Sequence, residues 1–487
     1  MADNFSDMNL FFFPRSIAIL GASESLSSFG TRYLQTLMSF GYKGHIFAVN
    51  HSGSNVLGHN IYRSVLDLPE SIDLATIAVP ARFVPGVLHD CLRTGIKAAI
   101  VLSSGFSETD SDEGRNLEAE LLKIAKQGIR IMGPNCFGTY SPGGRLTIIP
   151  GQNFPAESGK IGLITQSGQL SEIIVGRSIG EGIRFSKVAS FGNACDINEG
   201  DLLDYLVHDN ETKVIAAYLE GLKEGRRFFN IVRENSEKKP IIIWKAGLTQ
   251  TGSAAAKSHT GSLAGSRRVW DVFFRQTHAI QVFSLEELID TILGFSCLPE
   301  GCGRRVGLVS GGGAGAVIGA DMSERAGLQM LPFQSGTQKQ LRAILPGSGT
   351  SINNPLDLGV PHQKPDLLTA VLESVAASDS VDVIVIRRVF FSERLSKTFS
   401  DSAASSHEEL GKLLSVPVEI KKRFGKPVVV VLAEEMTGVN DLELEKERRE
   451  IRDFFFNNQI PVFLTEDRAF KAIANLAKFK TCTGKHE

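Results

Sequence analysis

The sequence predicts an α/β protein of three doubly wound domains with mostly parallel sheets, and three observations carry that prediction. Glycine is in excess, at 48 of 487 residues, where about 7% is usual. No collagen period and no Gly/Ser linker absorbs it, which leaves tight strand-to-helix turns as its use. An apolar run, a glycine turn and a helical pattern then occur together three times, in SIAILGAS at 16–23, IGLITQSG at 161–168 and VGLVSGGGAG at 306–315. These apolar runs are unbroken rather than alternating, as strands covered on both faces of a parallel sheet are.

The first domain is read as residues 1–145. After the strand at 16–20 come strands at 46–50, 74–80, 98–103 and 129–133, each a short β-branched or alanine-rich run. A helix over 112–127 fits a period of 3.6, with Glu113, Glu118 and Glu120 outward and Leu117, Leu121, Leu122 and Ile124 inward. The Pro- and Gly-containing stretch 141–159 forms a linker. The second domain, 146–300, has strands near 161–165, 186–190, 214–219, 240–245 and 279–283, and ends in the linker 298–304. The third, 301–487, has strands near 306–310, 381–387, 427–433 and 461–464, an irregular stretch around 346–362, and a basic helix at 471–480.

Charge and composition exclude several function classes. Fifty-two basic against 54 acidic residues give a net charge of −2, without the basic excess of a nucleic-acid binder. No apolar run reaches the ~18 residues that cross a bilayer. The four apolar residues 10–13 are too few for a secretory core. Six scattered cysteines, without paired spacing or clustered histidine, read as free thiols rather than a metal site. A cytoplasmic protein with no membrane or nucleic-acid partner is expected.

The turn GASESLSSFG, between Gly21 and Gly30, lacks the G-x-G-x-x-G spacing. Its N–H groups at a helix start would still hold a phosphate, and a plain tight turn fits equally well. The second strand ends in Asn50-His51 where a nicotinamide nucleotide needs an acid, which disfavours an NAD-dependent dehydrogenase. No P-loop and no G-x-S-x-G elbow occur, so neither that mode of ATP binding nor a serine hydrolase is indicated. Ser167-Gly168 opens a helix as a simple N-cap or as an anion site.

The segment AAAKSHTGSLAG, 254–265, is the most informative. His259 lies among small residues between the buried strand IIIWK and a helix at 263–275, where its imidazole would be accessible as a nucleophile, and an ordinary surface or core histidine fits equally well. Glu220, ending the strand before it, could accept a hydrogen bond from one ring nitrogen and orient the other. Asn193 and Asp196, in GNACD after another strand, add a second carboxylate candidate. In a parallel sheet these strand ends converge on one crevice with Ser167.

These residues, taken together with IAILGAS at 17–23, IFAVN at 46–50, IAVP at 77–80, SSGF at 103–106, GPNC at 133–136, QSG at 166–168, LEG at 219–221 and NPLD at 354–357, resemble the NDP-forming acyl-CoA synthetases across the whole chain. The resemblance is to the α subunit of ADP-forming acetyl-CoA synthetase, a relative of the succinyl-CoA synthetase α subunit. It implies a Rossmann-like CoA-binding domain followed by two flavodoxin-like, succinyl-CoA-synthetase-like domains. It implies that His259 is phosphorylated, that Glu220 holds its imidazole, and that Ser167, Gly168 and Gly261 bind the phosphate. Gly21, Ala22, Ser23, Asn50, Pro80, Ser104, Gly105, Asn135 and Cys136 match the family's CoA-site motifs, with Asn193 and Asp196 in support.

The implied reaction joins a small carboxylic acid to CoA at the expense of ATP, through an acyl phosphate and the phosphohistidine. ATP or ADP and Mg2+ would sit mainly on a separate ATP-grasp β subunit in an α2β2 heterotetramer, since no ATP-grasp sequence follows residue 466. A regulatory CoA- or acyl-CoA-binding protein on the same fold is the alternative. Three motifs depart from the family pattern: Asn50-His51 for Asn-Pro, Ser167-Gly-Gln-Leu-Ser171 for Ser-Gly-Ala-Leu-Gly, and Ser310-Gly-Gly-Gly313 for Asn-Ala-Gly-Gly. The second alters the helix opening, so acetate is not implied as the acid.

Overall fold

The structure is a computed structural model, and it describes residues 7–51, 55–147, 154–254, 266–345, 347, 349–359, 364–387, 407–432 and 442–483. The chain forms two compact units, Met1–Leu288 and Ile289–Glu487.

The first unit holds two sheets. One comprises β1 (Ser16–Leu20), β2 (His45–Val49), β3 (Asn55–Val56), β4 (His59–Tyr62), β5 (Leu74–Ile77), β6 (Ala98–Val101) and β7 (Arg130–Met132), in the order β3-β4-β2-β1-β5-β6-β7. All its pairings are parallel except β3 with β4. The second comprises β8 (Gly138–Ser141), β9 (Leu146–Thr147), β10 (Ile161–Thr165), β11 (Phe185–Ser190), β12 (Val214–Leu219), β13 (Ile241–Lys245) and β14 (Ile280–Val282), ordered β14-β13-β12-β10-β11-β8-β9. Strands β10 to β14 run parallel, while β8 lies antiparallel to β11 and carries β9 at the edge.

The unbroken apolar runs have the expected cause. In β1 every residue is buried, and alternate side chains enter opposite cores: Ile17 and Ile19 one, Ala18 and Leu20 the other. The first of these cores continues through Ile164, Ala189, Ile215 and Ile243 of the second sheet, so both sheets of this unit share one apolar interior. Burying each such branched side chain contributes about 1.5–3 kcal/mol. The helix Asp112–Ala125 buries Leu121 and Ile124 as its period requires. Leu122, read as inward, is exposed, because it stands one residue, about 100°, around the helix from Leu121. The short strands β3, β4, β8 and β9 have no sequence signal of their own.

The second unit carries one parallel sheet of β15 (Val306–Ser310), β16 (Leu356–Asp357), β17 (Val383–Arg387), β18 (Val428–Val431) and β19 (Val462–Phe463), ordered β16-β15-β17-β18-β19. The turn after β15 leads into the helix Gly313–Arg325, where a Cβ on Gly315 would fall 1.9 Å from the Arg387 guanidinium. Arg387 in turn pairs with Glu466, at the start of the helix Glu466–Thr483. That helix includes the predicted basic segment. Among the described residues no helix is long and apolar enough to cross a membrane.

Candidate active site

Two groups of the sequence-predicted residues come together at carboxyl ends of parallel strands in the first unit. The first surrounds the turn after β1. Gly21 has φ +106° and donates its N–H to the Val49 carbonyl at 2.9 Å, and a Cβ there would lie 2.4 Å from the Ala78 carbonyl oxygen. Only glycine fits this turn. The Ala22 carbonyl, on a buried residue, accepts the Asn50 side-chain N–H at 2.7 Å. Ser23 is fixed by Thr31, whose hydroxyl accepts the Ser23 N–H at 3.0 Å and donates to its carbonyl at 2.6 Å. Ser28 caps the helix Phe29–Phe40 that follows.

Pro80 and Ser104 are exposed after β5 and β6, and the Gly105 N–H donates to Glu108 Oε1 at 2.6 Å. The result is a backbone turn leading into a helix start with a small-residue rim, a place where an anion can meet the positive end of a helix. Thr31 shapes this turn as much as Asn50 does. Its signal in the sequence was the Ser28-x-x-Thr31 cap spacing.

Asn135 has φ +56° and hydrogen bonds to the Ser103 carbonyl through its N–H at 2.9 Å. Cys136 beside it is buried, and its thiol donates to the Val101 carbonyl at 3.4 Å. Burial pushes that thiol up to about 12. The side chain therefore faces the interior, while the backbone at Asn135 is bonded to the segment that follows β6.

Asn193 and Asp196 fasten the loop after β11 to this region. The Asn193 amide donates to Glu108 Oε2 at 2.6 Å and to Glu118 Oε2 at 2.8 Å. Asp196 Oδ2 accepts from Arg130 Nε at 3.0 Å and from the Ile131 N–H at 2.8 Å.

The second group lies on β10, β12 and β13. Ser167 is the N-cap of the helix Gly168–Gly180 and accepts the Leu170 N–H at 3.3 Å. A Cβ on Gly168 would stand 2.6 Å from the Phe137 ring, so this opening too demands glycine. The residue before the cap, Gln166, was quoted only as part of a motif. Its side-chain oxygen accepts the N–H of Glu220 and, at 3.0 Å, that of Gly221. Gln166 is 8% and Glu220 7% exposed. The strand end with the carboxylate is thus bonded directly to the helix opening.

Tyr218 donates its hydroxyl to Glu220 Oε1 at 3.2 Å. Burial first, and the Glu220 carboxylate second, hold that phenol above its ordinary range. Glu199, fully buried, fixes the continuation of the loop by accepting the Lys223 N–H at 2.6 Å. Burial raises its carboxyl above the usual range, against those N–H bonds.

Lys245, the last residue of β13, reaches the same place. The residue is 4% exposed, and its ammonium donates to the Glu220 carbonyl at 2.8 Å and to the Ala246 carbonyl, and stands 5.4 Å from the Trp270 ring centre. Burial depresses it to about 8, with the Glu220 carboxylate opposing the fall. The sequence did carry a signal for it, a charge closing the apolar run IIIWK. His259 and Gly261 lie outside the described residues. Among the described residues no group of three His, Cys, Asp or Glu could hold a metal ion.

A pair of family models matches the chain: a CoA binding domain over residues 15–142 and a succinyl-CoA ligase like flavodoxin domain over 158–295. The chain is 34% identical to the α subunit of acetate–CoA ligase [ADP-forming] I of Pyrococcus furiosus, with 98% of each chain covered. It is 35% identical to the α subunit of the II enzyme of the same organism, over 87% of this chain and 89% of that one. Its fold is similar to the dinucleotide forming acetyl-coenzyme A synthetase 1 of Ca. Korarchaeum cryptofilum in complex with phosphate and ADP. That match has a TM-score of 0.82 at 29% identity and covers 98% of both chains.

Proposed function

Because this chain belongs to the family of ADP-forming acyl-CoA ligases, which are acid–thiol ligases, we propose that it is an α subunit that works with a separate ATP-grasp β subunit, by way of a phosphohistidine at His259. The observation that carries this reading is the bonding of Gln166 to Glu220 and Gly221. It ties the main chain of buried Glu220 to the residue before the Ser167 cap of the helix Gly168–Gly180, on the strand beside β13, from which the chain runs on to His259.

In the thioester-forming direction an imidazole nitrogen of His259 attacks the γ-phosphorus of ATP on the partner, and ADP leaves. Glu220 accepts a hydrogen bond from the other ring nitrogen and stabilises the charge that forms there. The phosphoryl group then sits at the Ser167–Gly168 helix start, where free N–H groups and the helix dipole favour an anion. A carboxylate oxygen of the acid attacks this phosphorus, giving an acyl phosphate and returning neutral imidazole. The CoA thiolate attacks the acyl carbon and expels phosphate, which balances the cycle. The turn at Gly21, Ala22 and Ser23, shaped by Asn50 and rimmed by Pro80, Ser104, Gly105 and Asn135, would hold the CoA nucleotide phosphates. Magnesium would accompany the nucleotide on the partner, and the cytoplasm is the compartment this substrate set fits.

The test is to mix the chain with its ATP-grasp partner, Mg2+ and ATP labelled in the γ-phosphate. Acid-labile, base-stable label on this chain is the expected result, lost in His259→Asn. Label that survives this substitution would sink the assignment.

A further inference from the structure

A buried ammonium group is costly unless its surroundings use it. Lys245 is such a group, and the cycle proposed above gives it no part. Two of its three donors go to main-chain carbonyls, of Glu220 at the end of β12 and of Ala246 just beyond β13. The charge also faces the Trp270 ring, on the fourth residue of the helix Arg267–Thr277. The three elements so joined are not arbitrary. One bears the candidate orienting carboxylate. The other two are the described segments on either side of the sequence that contains His259.

A lone backbone carbonyl is satisfied by any neutral donor or by water. A single point shared by three separate elements, two through carbonyls and one through a ring face, calls for two donors and a positive charge on one atom, which an ammonium combines. The remaining contacts of Glu220 do not substitute for it. Gln166 holds the N–H side of that residue and Tyr218 its carboxylate, while Lys245 holds the carbonyl side.

We propose that Lys245 is a positioning residue for phosphoryl transfer: its ammonium fixes the Glu220 main chain, and through it the carboxylate, relative to Ala246 and Trp270. The proposal rests on the phosphohistidine reading given above. Among the described residues, the ammonium faces the Glu220 carbonyl and carboxylate from β12, the Ala246 carbonyl and the Trp270 ring. Loss of its proton removes one donor and the charge together, so transfer should weaken as pH rises through about 8.

The experiment measures label transfer from γ-labelled ATP to the chain, in complex with its partner subunit, for wild type, Lys245→Met, Lys245→Arg and His259→Asn. CoA affinity is followed in parallel by calorimetry. Lys245→Met should lower the single-turnover rate at least tenfold with CoA affinity within twofold of wild type. Lys245→Arg should recover part of the rate and move the alkaline fall of the rate to higher pH, since guanidinium keeps its proton.

A Lys245→Met protein with the wild-type rate overturns the proposal. Should that variant not fold, Lys245→Arg decides: a wild-type rate with an unmoved alkaline limb overturns the proposal equally. His259→Asn separates the two ideas. Label retained by it refutes the phosphohistidine, whereas label lost by it and kept at full rate by both Lys245 variants refutes only the role of Lys245.

Discussion

The side-chain oxygen of Gln166 accepts the backbone N–H of Glu220, and of Gly221 next to it, in a place where both partners are more than nine-tenths buried. Adjacent parallel strands β10 and β12 therefore end in a side-chain-to-backbone tie as well as in their ladder. The carboxylate of Glu220 inherits its position from that tie.

Gln166→Ala would leave two buried N–H groups without an acceptor. At about 1–3 kcal/mol for each unsatisfied donor, a loss of about 2–6 kcal/mol in unfolding free energy is expected by urea denaturation. Gln166→Glu keeps an acceptor in the same place and should lose less. A loss under about 1 kcal/mol for the alanine variant would show that the tie is replaceable.

Gly21→Ala should act on the CoA side alone. Its φ of +106° and the 2.4 Å approach to the Ala78 carbonyl leave no room for a methyl group, so the turn must shift. CoA binding measured by calorimetry should weaken at least tenfold, while label transfer from ATP, which needs no CoA, stays within about twofold. Unchanged CoA affinity would remove the turn from the CoA site.

Lys245 also makes a signed prediction for stability. Its folded-state value of about 8 lies below the 10.5 of an ordinary lysine. Between those values the unfolded chain binds the extra proton, so this residue's contribution to stability rises with pH there and is least favourable below about 8. From pH 7.5 to 9.5 wild type should gain on Lys245→Met by on the order of 1 kcal/mol, after allowance for solvent screening. Paired urea titrations at the two pH values measure it, and a difference that stays constant or shrinks would contradict the shift.

The sheets were legible because their signal is local. Runs such as IGLIT and VGLVS lie on both faces of a sheet, and β10 and β15 occupy the predicted residues. Asn55–Val56 and Gly138–Ser141 were not legible, since two to four residues at a sheet edge owe their strand conformation to a partner elsewhere in the chain. The same divide runs through the site. Gly21 and Ser167 announce themselves by turn and cap chemistry. Gln166 does not, and Lys245 shows only as a charge closing an apolar run, because their partners depend on which strands become neighbours. Cys136 shows the converse, a motif residue whose thiol turns inward to Val101.

The loop after β11 meets the end of the first sheet through main-chain bonds as well as side chains: Ile197 N–H to Ile131 O, Cys195 N–H to Gly133 O and Asn193 N–H to Pro134 O, each 3.0 Å. Three rungs of backbone, insensitive to side-chain identity, hold the segment after β11 against the end of β7. Side chains on these two segments can therefore vary in type while the main chain keeps the ends of the two sheets in register.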